Sequence, residues 1–136
     1  MEYQFHKVGG ILIKDRKLLV SRNINTDFFI APGGKVEKDE TEFEALHREL
    51  GEELGIKIDA GDVEKFGTFY APAAGNEKYT IRMDVYTVKT WSGVPTPTGE
   101  IEELVWIKST DTTGMKIGSI FEKEVLPRLK ECGLID

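Results

Sequence analysis

The strongest candidates for chemistry in this sequence are three carboxylates near the end of one predicted helix. Glu49, Glu52 and Glu53 follow the spacing i, i+3, i+4. At about 100° per residue of an α-helix, the last two lie within roughly 60° of Glu49, on one side of the helix. Carboxylates this close repel one another and raise each other's pKa. A bound divalent cation that prefers oxygen ligands would relieve the repulsion. The alternative, on the spacing alone, is that the three carboxylates form only a solvated face of the helix.

The apolar side of the same helix fixes its orientation. Four large side chains recur at helical spacing and form a stripe that faces a core: Phe43, Leu46, Leu50 and Leu54. Thr41 with Glu44 three residues later matches a capping box, and Asp39 is a rival cap. Gly55 suits the left-handed residue that ends a helix. The pattern predicts a helix over residues 41–54 that points its carboxylates away from the core.

A longer spaced pattern includes this helix. The segment fits G-x5-E-x7-R-E-U-x-E-E-x-G-U, where U is a bulky aliphatic residue. Every specified position is filled, by Gly34, Glu40, Arg48, Glu49, Leu50, Glu52, Glu53, Gly55 and Ile56. On average composition, the non-aliphatic matches together are expected on the order of once in 10⁸ starting points. The chain therefore resembles the Nudix hydrolases, the MutT-like pyrophosphohydrolases.

The resemblance implies a metal centre with supporting residues. The expected ligands are Glu49, Glu52, Glu53 and the carbonyl of Gly33, and the expected ion is Mg²⁺, with Mn²⁺ as an alternative. Arg48 is expected to orient Glu49, and Glu40 to support the ligands directly or through water. Gly34 would permit the turn that precedes the helix.

The general base is left open by the resemblance. Some members of the family use a glutamate of the helix, which here is Glu53, and others use a glutamate on a distant loop. Glu100 lies six residues before Trp106, the place of such a loop base in MutT-like enzymes, and Glu103 is its near rival. Glu100 is also a candidate metal ligand. The bland alternative is that these loop carboxylates are only solvated.

Length and composition agree with one compact enzyme domain over residues 1–136. The hydrophobic content of 40% and the charged content of 31% are ordinary for a globular protein. Apolar runs fall short of the roughly 18 residues that span a bilayer, and the N-terminus lacks the layout of a signal peptide. The single cysteine, Cys132, is expected to pack rather than react, and it leaves a cytoplasmic location as the default.

The net charge of −6 argues against a nucleic acid polymer as partner, because phosphate backbones require a basic surface. A small anionic substrate remains compatible with that charge if a divalent cation binds first. The predicted partners are therefore a small nucleotide and no membrane, with a homodimer as an option.

Elements along the chain predict an α/β fold. A hairpin is expected from residues 7–14 and 17–22 around Asp15-Arg16, and strands at 28–31, 63–70, 79–90 and 104–108. Loops are expected at 71–76 and 92–99. A last helix should cover 119–131, with Ser119 and Glu122 as a capping box, Pro127 as a kink and Gly133 as its end. Helices flanking these strands indicate an α/β/α sandwich with a mixed sheet, which is also the Nudix fold.

The substrate is the least specified feature. The short chain resembles enzymes that cleave nucleoside triphosphates, including oxidised ones, to the monophosphate and pyrophosphate. Pro72, sixteen residues after Ile56, favours the alternative of an ADP-ribose or nucleotide-sugar pyrophosphatase. A non-catalytic nucleotide-binding module on the same fold is a further alternative. Arg22, Phe28 and Tyr70 are candidates for a base pocket, because a flat base stacks on aromatic and guanidinium groups.

Overall fold

The computed structural model describes residues 2–73 and 76–136. Its strands are β1 (Phe5–Ile11), β2 (Ile13–Lys14), β3 (Lys17–Asn23), β4 (Phe28–Phe29), β5 (Gly33–Lys35), β6 (Val63–Ala73), β7 (Asn76–Val88), β8 (Ile101–Ile107) and β9 (Lys116–Ile117). The helices are α1 (Glu42–Leu54) and α2 (Leu126–Glu131), with a 3₁₀ turn at Ala60–Asp62 and a π-helical turn at Phe121–Val125. In the described part of the chain, no helix is long and apolar enough to cross a membrane.

The strands form one mixed sheet and two smaller sheets. The mixed sheet has the order β5-β1-β7-β6, in which β1 runs parallel to β7 and antiparallel to β5. The second sheet, β2-β3-β8, is antiparallel, and β4 pairs with β9 in parallel. This arrangement confirms the predicted mixed sheet.

Side chains alternate between two cores along β1. A Cβ added at Gly10 would meet Leu46 and Leu50 of α1, whereas a Cβ added at Gly9 would meet Ala31 and Met83 on the other side. The first core packs under α1 and the second packs under the π-helical turn and α2. One helix on each side of the strands gives the α/β/α sandwich, which confirms the predicted fold class.

Helix α1 begins and ends where its sequence predicts. The Thr41 hydroxyl accepts a hydrogen bond from the Glu44 N–H at 3.1 Å, and the Glu44 carboxylate accepts one from the Thr41 N–H at 2.8 Å. Thr41 is thus the cap, and the rival Asp39 lies before it in a left-handed conformation (φ 66°). Gly55 ends the helix at φ 69°. Leu46, Leu50 and Leu54 are completely buried, so α1 has one fixed rotation.

The predicted hairpin is correct in its turn but wrong in its first arm. Asp15 and Arg16 both have positive φ, 53° and 61°, and join β2 to β3. Residues 7–14 are not one strand, because the chain changes sheets at Leu12, a buried residue of the α1 core. The Leu12 side chain packs between the sheet and α1. The residues before it pair with β7 in the mixed sheet as β1, and the residues after it pair with β3 as β2.

Strands β6 and β7 extend further than predicted. Ala71, Pro72 and Ala73 continue β6 rather than form a loop, and Ala74 and Gly75 of the predicted loop lie outside the described residues. A proline is compatible with β6 because this strand is at the edge of the sheet and does not need every N–H. The predicted loop at 92–99 contains no strand.

The last helix differs from its prediction at its start. The Glu122 N–H bonds to the Gly118 carbonyl rather than to the Ser119 hydroxyl, so the predicted capping box does not form. The Leu126 N–H reaches back five residues to Phe121, which makes the π-helical turn just before Pro127. Proline lacks an N–H, and the wider turn accommodates this break. Gly133 ends the helix at φ 73°, as predicted, while Cys132 is exposed rather than packed.

Candidate active site

A cavity of about 640 Å³ opens between the mixed sheet and the start of the last helix. One wall consists of β5 and the end of α1, with Gly33, Gly34, Glu49 and Glu53. The opposite walls come from Asn23 and β4, the end of β6, and residues 118–121, and they are mostly apolar. Glu100 also lines the cavity. Residues far apart in sequence are thus brought together around one space.

The carboxylates of Glu49 and Glu53, which we call the cavity pair, face the backbone of β5. The Gly33 N–H donates a hydrogen bond to Glu53 Oε1 at 3.3 Å. Burial raises the pKa of Glu53 well above its usual range, and a hydrogen bond to Glu49 and the charges of Glu49 and Glu52 act in the same direction. Glu53 therefore sits where a second negative charge is unfavourable unless a cation compensates it.

Two glycines allow the backbone to approach these carboxylates. A Cβ at Gly34 would lie 2.5 Å from the carboxyl carbon of Glu49, so a side chain there would occupy the place of that carboxylate. Gly33 has φ 152°, and a Cβ there would lie 2.1 Å from the carbonyl oxygen of Val8. Gly33 therefore requires glycine for the backbone itself, whereas Gly34 requires it for the Glu49 carboxylate to keep its place.

Arg48 donates hydrogen bonds to two of the carboxylates near β5. Its guanidinium donates to both oxygens of Glu40, at 2.7 and 2.9 Å, and to Glu49 Oε1 at 2.7 Å. It also donates to the Lys35 carbonyl at 3.0 Å, which ties α1 to β5. The hydrogen bond from Arg48 lowers the pKa of Glu40 to about 2. Arg48 thus orients Glu49, whereas Glu40 contacts Arg48 and does not line the cavity.

Glu52 is the one predicted helix ligand that lies outside the cavity lining. Its side chain is 61% exposed, and one of its oxygens lies 3.6 Å from Arg48 Nη1. The helix rotation that places Glu49 and Glu53 over β5 leaves Glu52 on the solvent side. Its negative charge still raises the pKa of Glu53.

The two loop glutamates separate in the structure. Glu100 follows the 92–99 loop, whose Thr96 and Thr98 N–H groups bond to the carbonyls of Leu54 and Glu53 at 3.0 Å each. These hydrogen bonds satisfy carbonyl groups at the end of α1 and hold the loop against the helix, which brings Glu100 to the cavity. Glu103 instead accepts a hydrogen bond from Arg22 Nε at 3.2 Å and does not line the cavity.

Only one of the three predicted pocket residues reaches the cavity. Phe28 lines it, at the edge of β4. Arg22 does not, because it is paired with Glu102 and Glu103 across β3 and β8. Tyr70 also does not; it projects from β6 next to Tyr3, with ring centroids 6.5 Å apart.

Five polar residues that line the cavity were not predicted as site residues: Lys7, Asn23, Thr26, Lys35 and Ser119. A signal existed for Lys7, which shares the inward side of β1 with Phe5 and Ile11 by simple alternation. A lysine in such a row is unusual for a residue that only packs.

A second cluster of ionisable groups lies near the start of α1, and we call it the Asp84 cluster. Ligand atoms of His6, Glu42 and Asp84 lie within 4.8 Å of one another, which is close enough for a metal ion. Asp84 is completely buried, but its oxygens already contact His6 Nε2 at 2.6 Å, Lys65 Nζ at 2.9 Å and Arg82 Nε at 3.0 Å. Burial opposes its ionisation, yet hydrogen bonds from Thr68, Lys65, His6 and Arg82 lower the pKa of Asp84 to about 2.

Comparison with known proteins agrees with this architecture. The chain is 47% identical over 58 residues to an RNA pyrophosphohydrolase of Pseudomonas putida, a match over 42% of this chain and 35% of that relative. The chain thus spans about a third of the length of the curated relatives it matches.

Solved structures share the fold over most of the chain. The E. coli ORF135 protein is 27% identical, with 93% of this chain and 86% of that chain covered and a TM-score of 0.70. The MutT protein of Methanosarcina mazei Go1 is 20% identical, with 95% and 94% covered and a TM-score of 0.75. The NUDIX domain model matches residues 5–129, which include the cavity pair, β5 and Glu100. The chain belongs to the Nudix hydrolase family.

Proposed function

We propose that this protein is a divalent-metal-dependent pyrophosphohydrolase that cleaves a nucleoside triphosphate, including oxidised forms, to the monophosphate and pyrophosphate. The observation that carries the proposal is the cavity pair. Two carboxylates face a glycine backbone in one cavity, where burial, with the neighbouring carboxylates Glu49 and Glu52, raises the pKa of Glu53. Membership of a family that generally depends on divalent metals supports the same conclusion.

The residues around the cavity pair fit a hard divalent cation. Glu49 and Glu53 would hold it with the Gly33 carbonyl, and Glu52 and Glu100 would contribute from the solvent side and the loop. The donor set consists of oxygens alone, which suits Mg²⁺ or Mn²⁺. When bound, such an ion neutralises phosphate oxygens and makes water more acidic.

The protein groups then have distinct tasks in hydrolysis. Arg48 fixes the Glu49 carboxylate through the 2.7 Å hydrogen bond and leaves its other oxygen for the cavity. A glutamate that lines the cavity takes a proton from the attacking water. The water oxygen forms a bond to phosphorus, the anhydride P–O bond breaks, and the leaving phosphate keeps the electron pair.

Glu100 and Glu53 are the two candidates for that base. Glu100 lines the cavity from a loop and is exposed, whereas the Glu53 carboxylate already accepts a hydrogen bond from the Gly33 N–H on β5. Glu103 is paired with Arg22 outside the cavity, which disfavours it. We assign the proton transfer to Glu100 and a ligand role to Glu53.

Two other substrates have a specific observation in their favour. Pro72 lines the cavity, which keeps ADP-ribose as an alternative. The relatives from Pseudomonas putida are named RNA pyrophosphohydrolases, which favours a 5′-triphosphate on RNA. Both share the diphosphate bond of the primary proposal.

A substrate panel tests the proposal directly. Purified protein is incubated with nucleoside triphosphates, ADP-ribose and a 5′-triphosphorylated oligonucleotide, with and without Mg²⁺, and the phosphate products are identified. We expect pyrophosphate from a triphosphate only when Mg²⁺ is present, and a strong loss in Glu100→Gln. Nucleotide binding without turnover of any substrate would instead support a non-catalytic module.

A further inference from the structure

Two lysines lie directly opposite each other between β1 and β5. Lys7 pairs with Lys35 in the antiparallel register of these strands. The flanking pair is hydrogen-bonded, since the Val36 N–H donates to the His6 carbonyl at 2.9 Å. Lys7 and Lys35 are therefore a non-hydrogen-bonded pair, the kind whose Cα atoms approach to about 4.5 Å. Like charges placed directly opposite in a sheet are destabilising.

Both lysines face the cavity. They belong to its lining, as do Glu49 and Glu53. The strand alternation agrees, because the neighbouring Val8 is buried in the α1 core on the other side of the sheet. The two positive charges and the two carboxylates thus border the same space from adjacent positions.

The two ammonium groups lack carboxylate partners. In residues 2–73 and 76–136, the lysines within 4.0 Å of a carboxylate are Lys65, Lys89 and Lys116. Neither Lys7 nor Lys35 is among them, although the chain has 24 acidic residues and a net charge of −6. The Lys35 ammonium instead lies 5.1 Å from the ring centroid of Phe5. An anion in the cavity would remove the repulsion between the lysines.

The spacing along β5 places these charges beyond the cavity pair. Gly33, whose N–H contacts Glu53, is two residues before Lys35, which corresponds to about 7 Å along an extended strand. The hydrogen bond from Arg48 to the Lys35 carbonyl fixes this part of the strand. An anion held by both lysines is therefore displaced along the strand from the carboxylates that would bind metal.

We propose that Lys7 and Lys35 form a subsite for the terminal phosphate of a 5′-triphosphate. This inference rests on the proposed function, in which the cavity pair acts on the diphosphate bond. The subsite favours substrates with a free, multiply charged phosphate at the end of the chain over substrates that end in a neutral sugar, such as ADP-ribose. Two lysine ammoniums can each donate hydrogen bonds to such a phosphate.

Steady-state kinetics of Lys7→Gln, Lys35→Gln and the double variant test this subsite. The substrates are a nucleoside triphosphate, a 5′-triphosphorylated oligonucleotide and ADP-ribose. We expect KM for triphosphates to rise about tenfold for each lysine removed, as for the loss of one hydrogen bond to a charged group. The ratio of kcat/KM for triphosphate to kcat/KM for ADP-ribose should fall by a similar factor. The two triphosphate arms report whether the group is carried by a free nucleotide or by RNA.

Lys38→Gln is the matched control. Lys38 is exposed, lies three residues after Lys35 and does not line the cavity, so its substitution changes the net charge equally. We expect its selectivity ratio to equal that of the unaltered protein. An equal fall in Lys38→Gln, or an unchanged ratio in the double variant, would overturn the subsite.

Binding of inorganic triphosphate, measured by calorimetry without turnover, separates this inference from the proposed function. If the protein hydrolyses no nucleotide but binds inorganic triphosphate at least tenfold more tightly than the double variant does, the subsite stands and the proposed activity fails. If hydrolysis is observed and this difference in binding is absent, the activity stands and the subsite fails. Thermal unfolding provides a further readout, because removal of either lysine should leave the midpoint unchanged or raise it.

Discussion

The cavity pair and the Asp84 cluster both use carboxylates of α1, but the two groups of carboxylates have opposite electrostatic surroundings. Glu42 at the start of α1 belongs to the Asp84 cluster, and Glu49 and Glu53, about two and three turns later, form the cavity pair. Asp84 is surrounded by Lys65, Arg82 and His6, and its pKa is lowered to about 2. The pKa of Glu53 is raised, with a second carboxylate as its nearest ionisable partner.

The difference favours the cavity pair over the Asp84 cluster as the place where a cation would bind. The protein itself supplies the countercharges of the Asp84 cluster, so that cluster stabilises the contact between α1 and the sheet. At the cavity pair, Arg48 compensates Glu49 but Glu53 remains uncompensated. Proximity of acidic side chains alone would have favoured the Asp84 cluster as the metal site, whereas the distribution of cations favours the cavity pair.

The strongest test of the comparison is Glu53→Gln. We expect kcat to fall on the order of 10³-fold, because the variant removes a ligand of the metal that would neutralise the phosphate oxygens. The free energy of unfolding without metal should stay the same or increase, since the amide carries no charge to be buried. Nucleotide turnover and urea unfolding measure the two effects, and unchanged turnover would contradict the site.

Asp84→Asn should lower stability and leave turnover almost unchanged, which is the reverse of Glu53→Gln. The variant leaves the charges of Lys65 and Arg82 without their buried partner, and we expect a loss of about 3 kcal/mol in the free energy of unfolding. This value is at the low end for broken buried ion pairs, because both cations are partly exposed. Turnover of folded protein at low temperature should change little. A large loss of activity with full stability would move the metal site to the Asp84 cluster.

Gly34→Ala should weaken metal binding with a small effect on folding. The added Cβ would lie 2.5 Å from the Glu49 carboxyl carbon and must displace that carboxylate. We expect the affinity for Mn²⁺, measured by calorimetry, to fall about tenfold, as when the support of a metal ligand is lost. Gly61→Ala is the control, because a Cβ at Gly61 meets no atom within 4 Å. Equal affinities in the two variants would exclude Glu49 as a ligand.

The cavity pair and the Asp84 cluster should also change the free energy of unfolding in different parts of the pH range. Glu53 has a raised pKa, so the folded protein without metal binds the extra proton, and its stability declines as pH rises from the ordinary value of 4.5 through the raised pKa. Asp84 has a lowered pKa, and its contribution is lost as pH falls from 3.8 toward about 2. Each slope is at most about 1.4 kcal/mol per pH unit.

Urea unfolding as a function of pH measures both slopes. Glu53→Gln should abolish the decline above pH 4.5, and Asp84→Asn should reduce the decline on the acid side. Saturating Mg²⁺ should also flatten the first slope in the unaltered protein. A slope above pH 4.5 that persists in Glu53→Gln would mean that another group causes it.

The sequence predicted those parts of the site that depend on local spacing. The capping box at Thr41, the end at Gly55 and the buried leucines determine how α1 rotates, and they follow from periodicity within one segment. Glu49 and Glu53 could therefore be placed beside each other without knowledge of the rest of the chain.

Features that depend on pairing between distant strands could not be predicted. Arg22 directly precedes Asn23, which lines the cavity. Its pairing with Glu103 across β3 and β8 nevertheless turns its side chain away from the cavity. Lys7 and Lys35 are 28 positions apart, and only the register of β1 with β5 makes them neighbours. The same limitation applies to Tyr70, whose side of the edge strand is set by its pairing with Arg82 on β7.

The walls of the cavity originate from different parts of the chain, and this has a consequence for engineering. The wall of β5 and α1 would have to stay intact, because a side chain at Gly33 would collide with the backbone of Val8 and one at Gly34 would displace the Glu49 carboxylate. The wall that includes Asn23, Thr26 and residues 118–121 makes no hydrogen bond to the cavity pair. Segments of that second wall could be grafted from one relative to another to redirect selectivity while the hydrolytic apparatus is inherited unchanged.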